Sequence, residues 1–260
     1  MARSRAAIVL AGLMAAATSA SAQTNLVQNG DFSSYTNNNG QSPDQGFQVD
    51  YNGTLNNWSS GGGNPYYNFL FLAGTAQSPA ADTGVYGQYA YLGLWDNTTA
   101  SNGWDGNGPP GIGGNFMAMD GDFGTGPLTQ TITGLTQGTV YAVTFWYAFA
   151  QQSGFTGPTV QDLTVGLGAS KSSVPAFALA SQAFSGWMQD TVYVEANSST
   201  DVLSFLASGN VQLPPFALLA DISMVDAPEP ATWAMMGVGL AGLIGAARLR
   251  RGKTMVSALS

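Results

Sequence analysis

From Gln23 to Asp226 the chain holds one basic residue, Lys171, and one glutamate, Glu195. Water-exposed helices lean on Lys, Arg and Glu for their polar faces, and glycine and asparagine weaken them. This stretch nearly lacks the former and is crowded with the latter, so strands must carry its fold. The strand signals are correspondingly clear. Residues 139–147, TVYAVTFWY, are β-branched and aromatic, and Leu128–Ile132 alternates apolar with polar. The LTQGT segment after Gly134 reads as a hairpin turn between these two runs. Further strands are expected at Phe69–Ala73, Tyr89–Leu94, Asp162–Leu167, Trp187–Glu195, Val202–Ala207 and, after the Pro214-Pro215 bend, Phe216–Val225. Residues 37–63 and 96–114, rich in Gly, Asn and Pro, read as long loops. Roughly 200 residues of this kind fit one all-β domain, a jelly roll or other β-sandwich.

Charge narrows the partners. Segment 31–229 contains all 15 acidic residues against one basic residue, a difference of −14. Such a surface repels nucleic acid and anionic lipid, and suits cations, neutral glycans or solubility alone. The chain has no Cys and no His. Disulfides, thiolate nucleophiles and Ser-His-Asp or Cys-His machinery are therefore excluded, and ordinary zinc sites lack their ligands. Hard cations such as calcium need only carboxylate, amide and carbonyl oxygens.

The two ends read as sorting segments outside the fold. Residues 1–22 have the form of a signal peptide. Arg3 and Arg5 make a positive start, residues 6–17 an apolar run, and Ala20-Ser21-Ala22 a small-residue cleavage site. Residues 23–226 then form the acidic β domain and 227–230 a stalk. Residues 231–247 are uncharged, with Thr232 the only polar side chain. As a helix these 17 residues would reach roughly 25 Å, short but within the range of a transmembrane span. Gly237-x-Gly239-x-x-Gly242 follows no expected strand, which rejects a dinucleotide loop. The tail, 248–260, opens with Arg248, Arg250 and Arg251, a basic cluster that would stay cytoplasmic.

Pro228-Glu229-Pro230, the apolar Gly-rich segment and the arginine cluster together resemble the PEP-CTERM sorting signal of Gram-negative bacteria. The resemblance implies export with signal peptidase and exosortase as processing partners. It also implies inner-membrane anchoring before processing, then delivery to the cell surface or an exopolysaccharide matrix. The tail from Gly252 to Ser260 departs from the pattern, whose signals end soon after the arginines.

NLVQNGDFSSY, GGNFMAMDGD, QTITGLTQGTVYAVTFWYA and LSFLASGN…PPFALLADISM occur in the order found in carbohydrate-binding-like, galactose-binding-like jelly-roll domains, which the body resembles. That resemblance implies a calcium ion tying the first strand to the last, with Asn29, Asp31 and Asp221 as ligand candidates. Ala220 replaces the first acid of the usual pair. Asp120-Gly121-Asp122 is a second cation candidate, and also fits a tight turn.

Aromatic rings are the natural sugar-stacking groups. Trp58, Trp95 and Trp104 lie in or beside the Asn- and Gly-rich loops and are the glycan-contact candidates; Trp146 and Trp187, in strand-like runs, read as core. Hydrolysis would need two carboxylates about 5 to 10 Å apart across a cleft. No such pair is marked, so no enzymatic activity is expected. The expected role is structural or adhesive, with binding of the cell's exopolysaccharide as the alternative.

Overall fold

The computed structural model describes residues 23–61, 65–74, 84–112, 114–209 and 212–228. The expected signal peptide 1–22, Glu229, Pro230, the apolar segment 231–247 and the tail with Arg248, Arg250 and Arg251 lie outside them. Among the described residues no helix is long and apolar enough to cross a membrane.

The described chain is all β. In order the strands are β1 (Tyr35–Asn37), β2 (Gly46–Gln48), β3 (Gly53–Leu55), β4 (Asn68–Phe71), β5 (Val85–Tyr86), β6 (Tyr91–Leu92), β7 (Phe116–Asp120) and β8 (Leu128–Thr133). They continue with β9 (Val140–Gln151), β10 (Thr159–Leu167), β11 (Ser170–Ser173), β12 (Phe177–Leu179), β13 (Met188–Glu195), β14 (Thr200–Gly209) and β15 (Pro215–Asp226). A six-stranded sheet runs β13-β9-β15-β7-β4-β2, and a five-stranded sheet runs β11-β10-β14-β8 with β12 beside β10. β1 pairs with β3, and β5 with β6, as separate two-stranded ribbons.

Alternation explains how the two sheets close on each other. Successive side chains of a strand point to opposite faces. On β9, Val143, Phe145, Tyr147 and Phe149 face inward; on β10, Leu163, Val165 and Leu167 do; on β14, Leu203, Phe205 and Ala207. Phe145 meets Phe205 edge-on, their ring centroids 5.5 Å apart. This is the core of a β-sandwich.

The six-stranded sheet is buried on its other face too. Phe69, Phe71, Phe116, Ala118, Ala148, Ala150, Phe216 and Leu218 form a second cluster there, closed over by Val85, Leu92, Leu94 and Trp104 from the β5–β6 ribbon and the irregular segment after it. Hence β4 and β7 are buried at every position and show no polar alternation.

Three sequence expectations need correction. The LTQGT turn does not close a hairpin: β8 pairs with β14 and β9 with β13 and β15, so the turn crosses between sheets. Both flanking strands alternate because each lines the same core from opposite sides. The region 37–63 is not one long loop, since β2 and β3 lie within it and β1 ends at its start. The strand expected at Tyr89–Leu94 shrinks to Tyr91–Leu92, and Tyr89 becomes the tip of a turn.

Candidate functional site

A cleft of about 100 Å³ opens at one end of the six-stranded sheet, between its outer face and the β5–β6 turn. Its floor follows from strand alternation. Tyr67 and Phe69 share the outer face across β4, as do Phe116, Ala118 and Asp120 along β7, and Phe216 begins the outer column of β15. Antiparallel register sets Asp120 opposite Phe216. A carboxylate thus ends an otherwise apolar column, at the cleft.

Backbone hydrogen bonds fix Tyr67: its N–H donates to Gly124 O at 2.8 Å and its carbonyl accepts from Asp120 N–H at 2.9 Å. The roof is the turn Gly87–Ala90, closed by Gly87 N–H to Ala90 O at 2.9 Å. Gln48, fully buried on β2, pins that roof, accepting from Gln88 N–H at 2.7 Å and donating to Tyr66 O at 3.1 Å. A Cβ at position 87 would lie 2.6 Å from the Phe69 ring and 2.8 Å from Gln48 Oε1, so only glycine lets the turn settle this closely. The turn holds out Tyr89, 74% exposed, with its ring edge-on to Tyr67 at a centroid distance of 5.5 Å. Gln88, Tyr91 and Gln152 complete the polar rim.

Asp120 is 3% exposed. Burial pushes its carboxyl up to about 6, against the lowering effect of hydrogen bonds from the backbone of Asp122 and Phe123. Its Oδ1 accepts those two N–H groups at 2.8 and 3.3 Å, which makes Asp120-Gly121-Asp122 a side-chain-closed turn. Asp122 Oδ2 is buried without a hydrogen-bond partner. The Tyr67 hydroxyl is pushed up to about 12, by burial first, then by the neighbouring Tyr89 and the Asp120 charge. The cleft therefore joins an exposed ring, a half-buried ring, amide groups and one carboxyl group that changes charge near pH 6. Flat apolar faces beside hydroxyl-binding groups are what a sugar ring needs.

The tryptophans singled out from the sequence lie elsewhere. Trp58 is buried between the sheets beside Phe32 and Phe205, its indole N–H donating to Asn29 O at 3.1 Å. Trp104 is buried in the outer cluster, stacked on Phe184 at 4.6 Å, and donates to Asn107 O at 2.9 Å. Neither presents a ring face to a ligand. Trp95 is half-buried, and its N–H donates to Phe155 O at 2.7 Å. All three hold irregular segments in place. Trp146 and Trp187, expected in the core, pack partly buried against the outer cluster.

The calcium candidates fall in two places. Gly30, between Asn29 and Asp31, meets the last strand: Ile222 N–H donates to Gly30 O at 3.0 Å, beside the irregularity between Ala220 and Ser223 that holds Asp221 at a φ of 49°. Protein groups close that loop. Asn29 accepts from Ser34 N–H and donates to Ser34 O and Asn56 O, and Asp31 Oδ1 accepts from Ser33 N–H and Oγ–H. Asp120 and Asp122 belong instead to the cleft end. Among the described residues no three His, Cys, Asp or Glu side chains gather as a metal-binding group.

The sequence points to Tyr66 and Tyr67 as aromatics beside a Gly- and Asn-rich loop, but not to Tyr89 or Gln48. Apart from the aromatic-amide run Gln88-Tyr89-Ala90-Tyr91, nothing local to the sequence brings Tyr67, Tyr89 and Gln48 together.

Pro228 is exposed, two residues past the end of the last strand. Comparison with known proteins bears on both parts of the chain. Among solved structures, the body is similar to a putative sugar binding protein from Bacteroides thetaiotaomicron VPI-5482, at 11% identity and a TM-score of 0.33, covering 78% of this chain and 100% of that one. It is also similar to a family 4 carbohydrate-binding module, at 14% identity and a TM-score of 0.31, covering 77% and 99%. A third is TmCBM61 in complex with β-1,4-galactotriose, at 14% identity and a TM-score of 0.31, covering 52% and 82%. No curated protein matches the chain. Residues 226–251 match the PEP-CTERM protein-sorting motif, which implies export, membrane anchoring and processing by an exosortase. The chain is thus an all-β body carrying a PEP-CTERM protein-sorting motif at residues 226–251.

Proposed function

We propose that this is a cell-surface or extracellular-matrix protein with an adhesive role, whose body grips a neutral glycan at the Tyr67–Tyr89 cleft. In this reading signal peptidase removes residues 1–22. Segment 231–247 spans the inner membrane with the arginine cluster inside, and exosortase acts at Pro228-Glu229-Pro230. The exported body, 23–226, then attaches to the cell's exopolysaccharide.

The observation that carries the reading is Tyr89. A tyrosine 74% exposed at a turn tip, braced on a second tyrosine and flanked by amides, leaves an aromatic face in water where solubility alone would favour a polar side chain. The lack of basic residues at the rim favours neutral over acidic glycans.

Affinity electrophoresis of the detergent-solubilised full chain, through gels containing the producing cell's exopolysaccharide or a neutral galactan or glucan, tests this. Retardation is expected, with Tyr89→Ala weakening it about tenfold or more while far-UV circular dichroism stays unchanged. Unretarded migration in every gel would reject the glycan-binding role.

A further inference from the structure

We propose that the end of the sandwich opposite the cleft is the face that sits on the bilayer, so the anchored protein already holds its cleft outward before exosortase releases it. This rests on the membrane-anchoring part of the function proposed above.

The last strand supplies the axis. β15 enters beside the cleft, where Phe216 lines it, and leaves at Asp226, paired with Tyr141. Ten residues at about 3.3 Å each place these two ends roughly 30 Å apart. The sheet continues to Ala227, whose N–H donates to Val140 O at 2.9 Å. Pro228 has no N–H and cannot extend the ladder. The sorting motif begins at residue 226, inside the strand, so no slack separates the folded body from it.

The mature N-terminus is stitched to the same end. Gln23 Nε2 donates to Asp226 O at 2.6 Å, and Leu26 N–H donates to Met224 O at 2.9 Å. From Pro228 to the apolar segment at 231 the chain can reach at most roughly 11 Å, three residues at full extension. A body about three times longer than its tether cannot invert to stand on its far end.

The turns brought down have uncharged apexes. It is made by the turn 134–139, where Gly138 N–H donates to Ala196 O at 2.8 Å, and by the turn 196–199, where Ser199 O accepts from Leu135 N–H at 3.1 Å. The two apexes, Thr136-Gln137-Gly138 and Asn197-Ser198-Ser199, carry no charge. Asp201, just behind, has its carboxylate turned to the Asn197 and Ser198 N–H groups. The exposed carboxylates at this end, Glu195 and Asp226, stand beside the apexes at the strand ends, so the orientation rests on the short tether rather than on attraction to anionic headgroups.

The chain has no cysteine, so single labels are unambiguous. Gln137→Cys and Thr125→Cys, both at exposed positions at opposite ends of the body, would each carry a fluorophore on the full chain. Each is reconstituted into phosphatidylethanolamine–phosphatidylglycerol vesicles containing a lipid with a headgroup nitroxide. The expected result is severalfold stronger quenching at position 137 than at 125. Equal quenching, or the reverse order, overturns the orientation while leaving anchoring intact. Failure of both labelled chains to co-float with vesicles overturns the anchoring and the orientation together.

Discussion

Phe205 and Trp104 cover opposite faces of the same six-stranded sheet. Phe205 comes from β14, one row of a second sheet whose alternation supplies a matching layer of apolar side chains. Trp104 comes from an irregular segment and must be held individually, by a ring stack on Phe184 and an indole hydrogen bond to Asn107 O. A sheet covered by a sheet closes uniformly. A sheet covered by loops closes only where a large side chain reaches it, and a gap remains where none does. The cleft is such a gap, lying past the end of the Trp104 cluster where Asp120 ends an apolar column.

The contrast can be broken from the inner side first. Phe205→Ala should cost about 3–5 kcal/mol and lower the urea midpoint of the whole body, because the core cannot collapse around the lost ring. Trp104→Ala should cost less, up to about 3 kcal/mol, with the loss confined to part of the molecule. Hydrogen exchange should quicken at residues 94–108 and 182–187 while the β9–β15 ladder keeps its protection. Equal exposure of that ladder in both variants would show that the outer cover and the sandwich unfold as one unit.

The last effect concerns Asp120 and shows only as a pH dependence. Its folded pKa of about 6 lies above the ordinary carboxyl value of 3.8. Between these values the folded state holds a proton that the unfolded state has released, so stability falls as pH rises through this window and then levels off. The expected fall is at most about 3 kcal/mol, at ~1.36 kcal/mol for each unit between the two values. Asp120→Asn keeps an oxygen to accept the Asp122 and Phe123 N–H groups but cannot ionise. Urea midpoints for the variant should therefore lose this decline between pH 4 and pH 6.5, and an unchanged decline would assign it to another group.

Much of the sandwich was legible because its strands carry their own signals. The runs at 139–147 and Phe216–Val225 are β-rich and end at turn residues, and both prove to be long strands, β9 and β15. The sorting motif was legible because its parts are contiguous. The pairing of sheets was not: β8 and β9 look like hairpin partners because adjacent alternating strands read the same whether they pair or face each other. The loop tryptophans were ambiguous for a related reason. A large ring in a Gly- and Asn-rich segment fits a ligand or the protein's own core equally well, and Trp58 and Trp104 turned inward. Asp120 stood out only as half of an Asp-Gly-Asp pair. Its position on a cleft with Tyr67 and Tyr89 depends on the β7–β15 register and on a turn pinned by Gln48, none of which has a local sequence signature.

β15 lies between β9 and β7, at the middle of its sheet, yet among the described strands it is the last to leave the ribosome. Until it arrives, β9 and β7 have no common partner, and the N-terminal segment lacks the Met224 carbonyl it docks on. The body therefore completes its fold only after nearly all of it has been synthesised. Such late, long-range closure slows folding, which under the export route proposed above would leave the chain open for longer after synthesis.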